Sequence, residues 1–149
     1  MKTLRLLAAG VVLPCLLYGA LPPRYAAERK KYIQREGRRQ RKRAPLVVVL
    51  QVCSVDRSGW QPVSDRGVRL RRTWRVKARV LRNLRGEYGR KTLSFRYTRR
   101  RYASGAVGPR LYNPLRLHKG RRYKVWLKNE DGQWVAAAGP LSFEAVKLD

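Results

Sequence analysis

The chain has 149 residues, with 36 Lys and Arg against 9 Asp and Glu, which gives a formal net charge of +27 at pH 7. This length allows one folded domain of about 100 residues with an N-terminal extension, and the charge favours polyanionic partners such as nucleic acid, anionic lipid or acidic polysaccharide. With two cysteines, Cys15 and Cys53, and one histidine, His118, the composition excludes a disulfide framework and a Cys/His zinc site, and we expect no metal or cofactor.

The first segment, residues 1–23, is an apolar stretch with a short positive start. Lys2 and Arg5 precede Leu6 to Pro23, which is uncharged over 18 residues. The pattern is typical of a secretory signal peptide or of a membrane anchor, and both alternatives stay open. Cleavage after Ala20 would remove it. We therefore expect an apolar helix and an exported protein that is periplasmic, secreted or membrane-anchored through residues 6–23.

The second segment, residues 24–43, is a basic tract with ten basic and two acidic residues. Its Ala, Glu, Lys, Gln and Arg residues favour a helix, so we predict a basic helical linker or stalk that ends near Gly37. The tract could bind anionic lipid beside a membrane, present a processing site at Arg38 to Arg43, or serve as a solvated spacer.

The remaining residues, 44–149, form the predicted folded domain. Leu46 to Val55 is short and rich in β-branched residues, which predicts a strand. Cys53 lies within this apolar run, where we expect it to be small core filler.

The most regular pattern of the chain runs from Val68 to Leu81, where apolar residues take the even positions and mostly cations the odd ones. Arg72 is the one break on the apolar side. A period of two predicts a half-buried strand, because successive side chains point to opposite faces. The outward cations, with one from the next strand, are the predicted polyanion-binding residues: Arg69, Arg71, Arg75, Lys77, Arg79 and Arg96.

Asn83 to Gly89 predicts a hairpin loop, and Lys91 to Thr98 alternates again, with Leu93, Phe95 and Tyr97 on the inner face. The period is lost from Arg99 to Lys119, which predicts a long surface loop. Within that loop we predict that a protein partner contacts Arg99, Arg100, Arg101, Tyr102, Arg110 and Tyr112.

Alternation returns at Arg122 to Lys128, with Trp126 on the outer face. Asn129 to Gly132 predicts a tight turn, after which Trp134 to Ala138 and Leu141 to Val146 predict two last strands. The domain is therefore expected to be all-β, a small antiparallel barrel or sandwich of five or six strands.

Three segments resemble the netrin-like, or tissue-inhibitor-of-metalloproteinase-like, variant of the OB-fold barrel. They are "WRVKARVLRNLRGEYG" at 74–89, "KGRRYKVWLKNEDGQW" at 119–134 and "AGPLSFEAV" at 138–146. The resemblance covers about 100 residues and implies an OB-like barrel over residues 44–149. The extracellular animal members hold their termini with several disulfides, and in some an N-terminal cysteine makes the inhibitory contact. This chain has only Cys53 in the matching region, so protease inhibition is not carried over.

An enzyme is not expected, because His118 stands alone at a turn and the acidic residues are scattered without a pair suited to acid–base chemistry. The preferred function is a non-catalytic exported or membrane-tethered binding module. It would contact an acidic surface, such as anionic lipid or polysaccharide, or a protein partner, through the basic strand face. The alternative is a nucleic-acid-binding OB-fold protein, for which the candidate stacking aromatics are Tyr102, Tyr112 and Trp126.

Overall fold

The computed structural model describes residues 23–63, 69–102 and 116–147. The elements are α1 (Pro23–Arg43), β1 (Leu46–Arg57), β2 (Gln61–Pro62), β3 (Arg69–Arg85), β4 (Thr92–Tyr102), β5 (Arg122–Glu130), β6 (Gln133–Ala136), a 3-10 turn (Gly139–Leu141) and β7 (Phe143–Ala145). The chain is thus mostly β-sheet with one helix, as expected. The predicted apolar helix of residues 1–23 lies outside the described residues, apart from Pro23, where α1 begins.

Five strands close into a ring in the order β1-β3-β4-β6-β5 and back to β1, while β2 pairs with β3 and β7 pairs with β5. The pairs are antiparallel except β4 with β6, which is parallel at Phe95 with Trp134 and at Arg96 with Val135. The expectation of a purely antiparallel arrangement is therefore wrong at this one seam. A closed ring with an odd number of strands cannot alternate direction at every step, so one parallel pair is unavoidable.

The interior of the ring is filled by the apolar phase of each long strand, as the alternation predicts. These side chains, together with Leu117 from the segment before β5, form one continuous buried cluster. Its strand members are Leu46, Val48, Leu50, Val52, Val76, Ala78, Leu93, Phe95, Tyr97, Tyr123, Val125, Leu127, Ala136 and Phe143.

Cys53 is exposed, so the prediction that it fills the core is wrong. The β1–β3 register pairs Val52 with Ala78 and Ser54 with Lys77, so Cys53 is the extra residue of a bulge. A bulge inserts one unpaired residue and shifts the alternation after it. Cys53 consequently leaves the inner face, and Val55 packs against the core instead.

Two predicted loops begin later than expected, because the strands before them are longer. β3 continues to Arg85, so Asn83 belongs to the strand and not to the hairpin loop. β4 continues to Tyr102, so Arg99 to Tyr102 pair with β3 and not with solvent. The hairpin formed by β3 and β4 is therefore the longest feature of the sheet.

The prediction that the basic helix ends near Gly37 is wrong, because α1 continues to Arg43. Gly37 is buried, and a Cβ at this position would lie 2.6 Å from Cδ1 of Leu141. The glycine therefore permits close packing between α1 and the 3-10 turn. The helix ends just before Pro45, which disfavours helical geometry in the residue preceding it.

Polar contacts fasten the C-terminal end of α1 to the sheet. Arg85 of β3 donates to the carbonyl oxygens of Lys42 and Ala44 at 2.8 and 3.2 Å, which satisfies acceptors that a helix end leaves without helical partners. Arg41 forms an ion pair with Glu144 of β7 at 3.0 Å. The helix is thus docked on the ring at its C-terminal end.

No helix among the described residues combines the length and the hydropathy that are needed to cross a bilayer.

Candidate polyanion-binding face

The outward side chains of β3 and β4 make one continuous cationic surface, which we call the basic face. It contains the exposed residues Arg69, Arg71, Arg75, Lys77, Arg79, Arg96 and Arg100. Six of these are the predicted polyanion-binding residues, and the structure brings all six together. Arg100 joins them because β4 extends beyond the predicted end of the strand, which places it on the same face as Arg96.

Cations stand directly opposite each other across the β3–β4 ladder. Arg75 is paired with Arg96, and Arg71 is paired with Arg100, with Thr73 and Thr98 paired between them. Directly opposed residues in an antiparallel pair have Cβ atoms about 5 Å apart. Each arginine pair therefore holds two guanidinium groups near one point on the surface.

The row along β3 is long as well as dense. From Arg69 to Arg79 the strand advances about 33 Å, at about 3.3 Å per residue. Arg79 donates to the side-chain carbonyl of Gln51 at 2.9 Å. Within the described parts of the chain, the two ion pairs join Arg41 to Glu144 and Lys128 to Glu130, so neither neutralises the basic face.

The wall behind the basic face is aromatic. Trp74 and Tyr97 are neighbours across the β3–β4 ladder and stack with ring centroids 5.8 Å apart and planes at 8°. Tyr97 also meets Phe143 edge-on at 4.9 Å. These rings point into the ring of strands, as predicted, so they support the cationic strands from behind and do not offer stacking surfaces to a ligand.

The predicted partner loop is not a single loop in the described structure. Arg99 is half-buried on the inner phase of β4, opposite Arg72 of β3, whose guanidinium lies 4.6 Å from the centroid of the Trp60 ring. Arg101 and Tyr102 are the last residues of β4. Arg110 and Tyr112 lie outside the described residues.

Trp126 was expected on an open outer face as a candidate stacking residue, and this expectation is wrong. It does point away from the interior, but it is only 8 % exposed, in a second cluster with Ala44, Val47 and Ala137. The guanidinium of Arg41 lies 4.7 Å from its ring centroid. The docked end of α1 therefore covers Trp126, which a strand pattern alone does not reveal.

Burial raises the pKa of Tyr97 to about 12, against a smaller lowering by Arg99 and Arg116. The neutral phenol is therefore favoured in the folded protein, whereas an exposed tyrosine titrates near pH 10. The stability that Tyr97 contributes is fully present below about pH 10 and is lost as the pH rises towards 12.

We expect the free energy of unfolding of the wild-type protein to fall more steeply between pH 10 and 12 than that of Tyr97→Phe, by up to about 1.4 kcal/mol per pH unit. Phenylalanine keeps the ring packing and removes the titrating group. Denaturant titrations of both proteins at pH 8, 10 and 11.5 measure the difference. Equal slopes would show that Tyr97 ionises as freely in the folded protein as in the unfolded one.

Comparison of the chain with family models, with curated proteins and with solved structures returned no match in any of the three. The resemblance to netrin-like domains therefore stays a prediction.

Proposed function

We propose that this protein is a non-catalytic binding module that holds an acidic polymer on its basic face and is exported or tethered to a membrane through its N-terminal segment. The observation that carries the proposal is the direct opposition of Arg71 with Arg100 and of Arg75 with Arg96. Like charges opposite each other destabilise a sheet. An anion held between the two guanidinium groups turns that repulsion into attraction.

The chemistry of arginine favours oxyanions in particular. Each guanidinium presents a planar fork of donors that matches a phosphate, sulfate or carboxylate group. Two forks about 5 Å apart can hold one such group between them, and the cations along β3 continue the site in a line. A linear polymer with repeated oxyanions, such as an acidic polysaccharide, fits this arrangement.

We further propose that the ring is an OB-like barrel. Support comes from the strand order: with the short β2 and β7 set aside, the first, second, third, fifth and fourth strands of the ring are neighbours in that sequence. The one parallel contact joins the third and fifth of them. This is the order that the predicted OB-like fold requires.

A nucleic-acid-binding protein is the second candidate function, and the strand order favours it. OB-folds bind single strands on the face of their second and third strands, which here are β3 and β4. Those proteins also stack bases on aromatic side chains. The described residues of the basic face include no aromatic side chain, so the acidic polymer is the preferred ligand.

The experiment compares two variants that lose the same charge. One replaces Arg75, Lys77, Arg79 and Arg96 of the basic face with glutamine, and the other replaces the exposed Arg90, Lys119, Arg121 and Lys147. Binding of heparin and of single-stranded DNA is measured over a range of salt concentrations.

We expect the basic-face variant to bind heparin at least about tenfold more weakly at low salt, since four charge-assisted contacts are removed. The salt dependence of its binding constant should fall by about three counterions. The control should stay within about threefold of wild type. Equal losses in both variants would reduce the basic face to a contribution to net charge, and a wild-type preference for single-stranded DNA would favour the second candidate.

A further inference from the structure

The helix α1 has two different faces. Its docked face contains the buried Gly37 and the half-buried Ile33 and Arg41, which are four residues apart and therefore lie on one side. The opposite side is exposed and carries seven cations and one acid. The cations are Arg24, Lys31, Arg35, Arg38, Arg39, Lys42 and Arg43, and the acid is Glu28.

Two tyrosines share this exposed side. Tyr25 is 48 % exposed and Tyr32 is 67 % exposed, and their spacing of seven residues is two helical turns. The guanidinium of Arg24 lies 5.1 Å from the centroid of the Tyr25 ring. Tyrosine has an apolar ring and a polar tip, and it is enriched at the boundary between lipid and water. Cations interleaved with exposed tyrosines therefore suit a headgroup layer.

The position of this side in the chain points to the same partner. Its tyrosines lie in the first half of α1, directly after the uncharged stretch from Leu6 to Pro23. Clusters of Lys and Arg beside an apolar membrane segment attract anionic headgroups, at about 1 kcal/mol per cation near the surface. A helix held against the ring by its other side presents these cations without having to leave the fold.

This surface is separate from the basic face. The helix packs beside β5 and the 3-10 turn through Trp126 and Leu141, whereas the basic face lies on β3 and β4. In the ring, β1 stands between β5 and β3 on one side, and β6 stands between β5 and β4 on the other. A partner on α1 and a polymer on the basic face therefore use different strands.

We propose that the exposed side of α1 lies on an anionic lipid bilayer and holds the ring at the membrane surface. The inference does not depend on the ligand of the basic face. Binding to the membrane then has two components, the apolar contact of the N-terminal segment, which is indifferent to headgroup charge, and the contact of α1, which requires anionic lipid.

The experiment uses the full chain with vesicles of phosphatidylcholine alone and of phosphatidylcholine with 30 % phosphatidylserine, where that fraction is about the level needed for a strong surface potential. One variant replaces Lys31, Arg35, Arg38 and Arg39 with glutamine, which is also a good helix former. The matched control is the basic-face variant with the same loss of charge. The quantity measured is the ratio of anionic to neutral partition coefficients, with circular dichroism as the check on helix content.

We expect the α1 variant to lose at least about a hundredfold of this ratio, since each cation contributes about fivefold. The control should lose less than about fivefold. A second variant, Tyr25→Ser with Tyr32→Ser, should bind less well to both kinds of vesicle.

Equal losses in the α1 and basic-face variants, or an unchanged ratio in the α1 variant with its helix intact, would overturn the inference. So would a loss of heparin or DNA binding in the α1 variant without loss of lipid binding, because α1 would then be a second polymer site. Failure of the proposed function looks different: heparin binding by the basic-face variant would match its control while the lipid ratio still depended on α1.

Discussion

Replacing Leu50 with alanine is expected to lower the free energy of unfolding by about 3–4 kcal/mol, the usual cost of removing a large buried aliphatic side chain together with the cavity that remains. Leu50 is 0 % exposed on β1, where it is paired with Val80 of β3 and Tyr123 of β5. A small domain has a total stability of about 5–15 kcal/mol. The variant should therefore lose a large share of its stability, measured by urea denaturation and by a melting temperature lower by about 15–30 °C.

Leu81→Ala is the matched control for this prediction. Leu81 lies on β3, but the β1–β3 register passes over it between Arg82 and Val80, and its side chain is 40 % exposed. Its replacement should cost less than about 1 kcal/mol. Similar losses at the two leucines would contradict a packed interior centred on the inner face of β1.

Replacing Gly37 with leucine is expected to separate the C-terminal half of α1 from the ring. A Cβ alone would lie 2.6 Å from Cδ1 of Leu141 and 3.4 Å from its Cβ, and the rest of a leucine side chain has no room between them. Overpacking of this kind costs about 1–3 kcal/mol. Once the helix moves away, Trp126 loses its cover, and the bonds between α1 and both Arg85 and Glu144 break.

The measurement is trypsin cleavage within residues 38–43, which docking protects. A loss of about 1.4 kcal/mol in docking free energy raises the open population about tenfold, and cleavage should accelerate accordingly. Gln34→Leu places the same side chain at an exposed helix position and should leave the rate unchanged. Gly37→Ala should be near wild type, since rotation of Leu141 can relieve the contact and alanine favours the helix by about 1 kcal/mol. A wild-type cleavage rate in Gly37→Leu would show that α1 does not depend on this contact.

The alternation of side chains predicted the strands and their inner faces well. Val76, Ala78, Leu93, Phe95 and Tyr97 are buried as expected, because a two-residue period on a half-buried strand is a local property of the sequence. The six predicted polyanion-binding residues lie together for the same reason. Their relative placement across two strands follows from the hairpin, whose register pairs Arg75 with Arg96.

The features that were missed depend on contacts with distant parts of the chain. Cys53 faces solvent because of a bulge opposite Ala78 and Lys77, and nothing in its own strand signals the extra residue. Trp126 is covered by α1, whose docking depends on Gly37 meeting a residue more than a hundred positions away. The ends of β3 and β4 were placed too early, because cations that read as loop are held in the ladder by cross-strand pairing.

Closure of the ring has a consequence for how the protein matures. β1 must pair with β5, and the parallel seam between β4 and β6 has only two residue pairs, so the ring depends on partners that are synthesised last. Contacts so distant in sequence form slowly, and until they form the β3–β4 hairpin has exposed backbone edges on a nascent chain. Strand edges of this kind aggregate unless charged side chains oppose it. The arginines of this hairpin, by mutual repulsion between chains, therefore protect the unfinished polypeptide before any ligand is met.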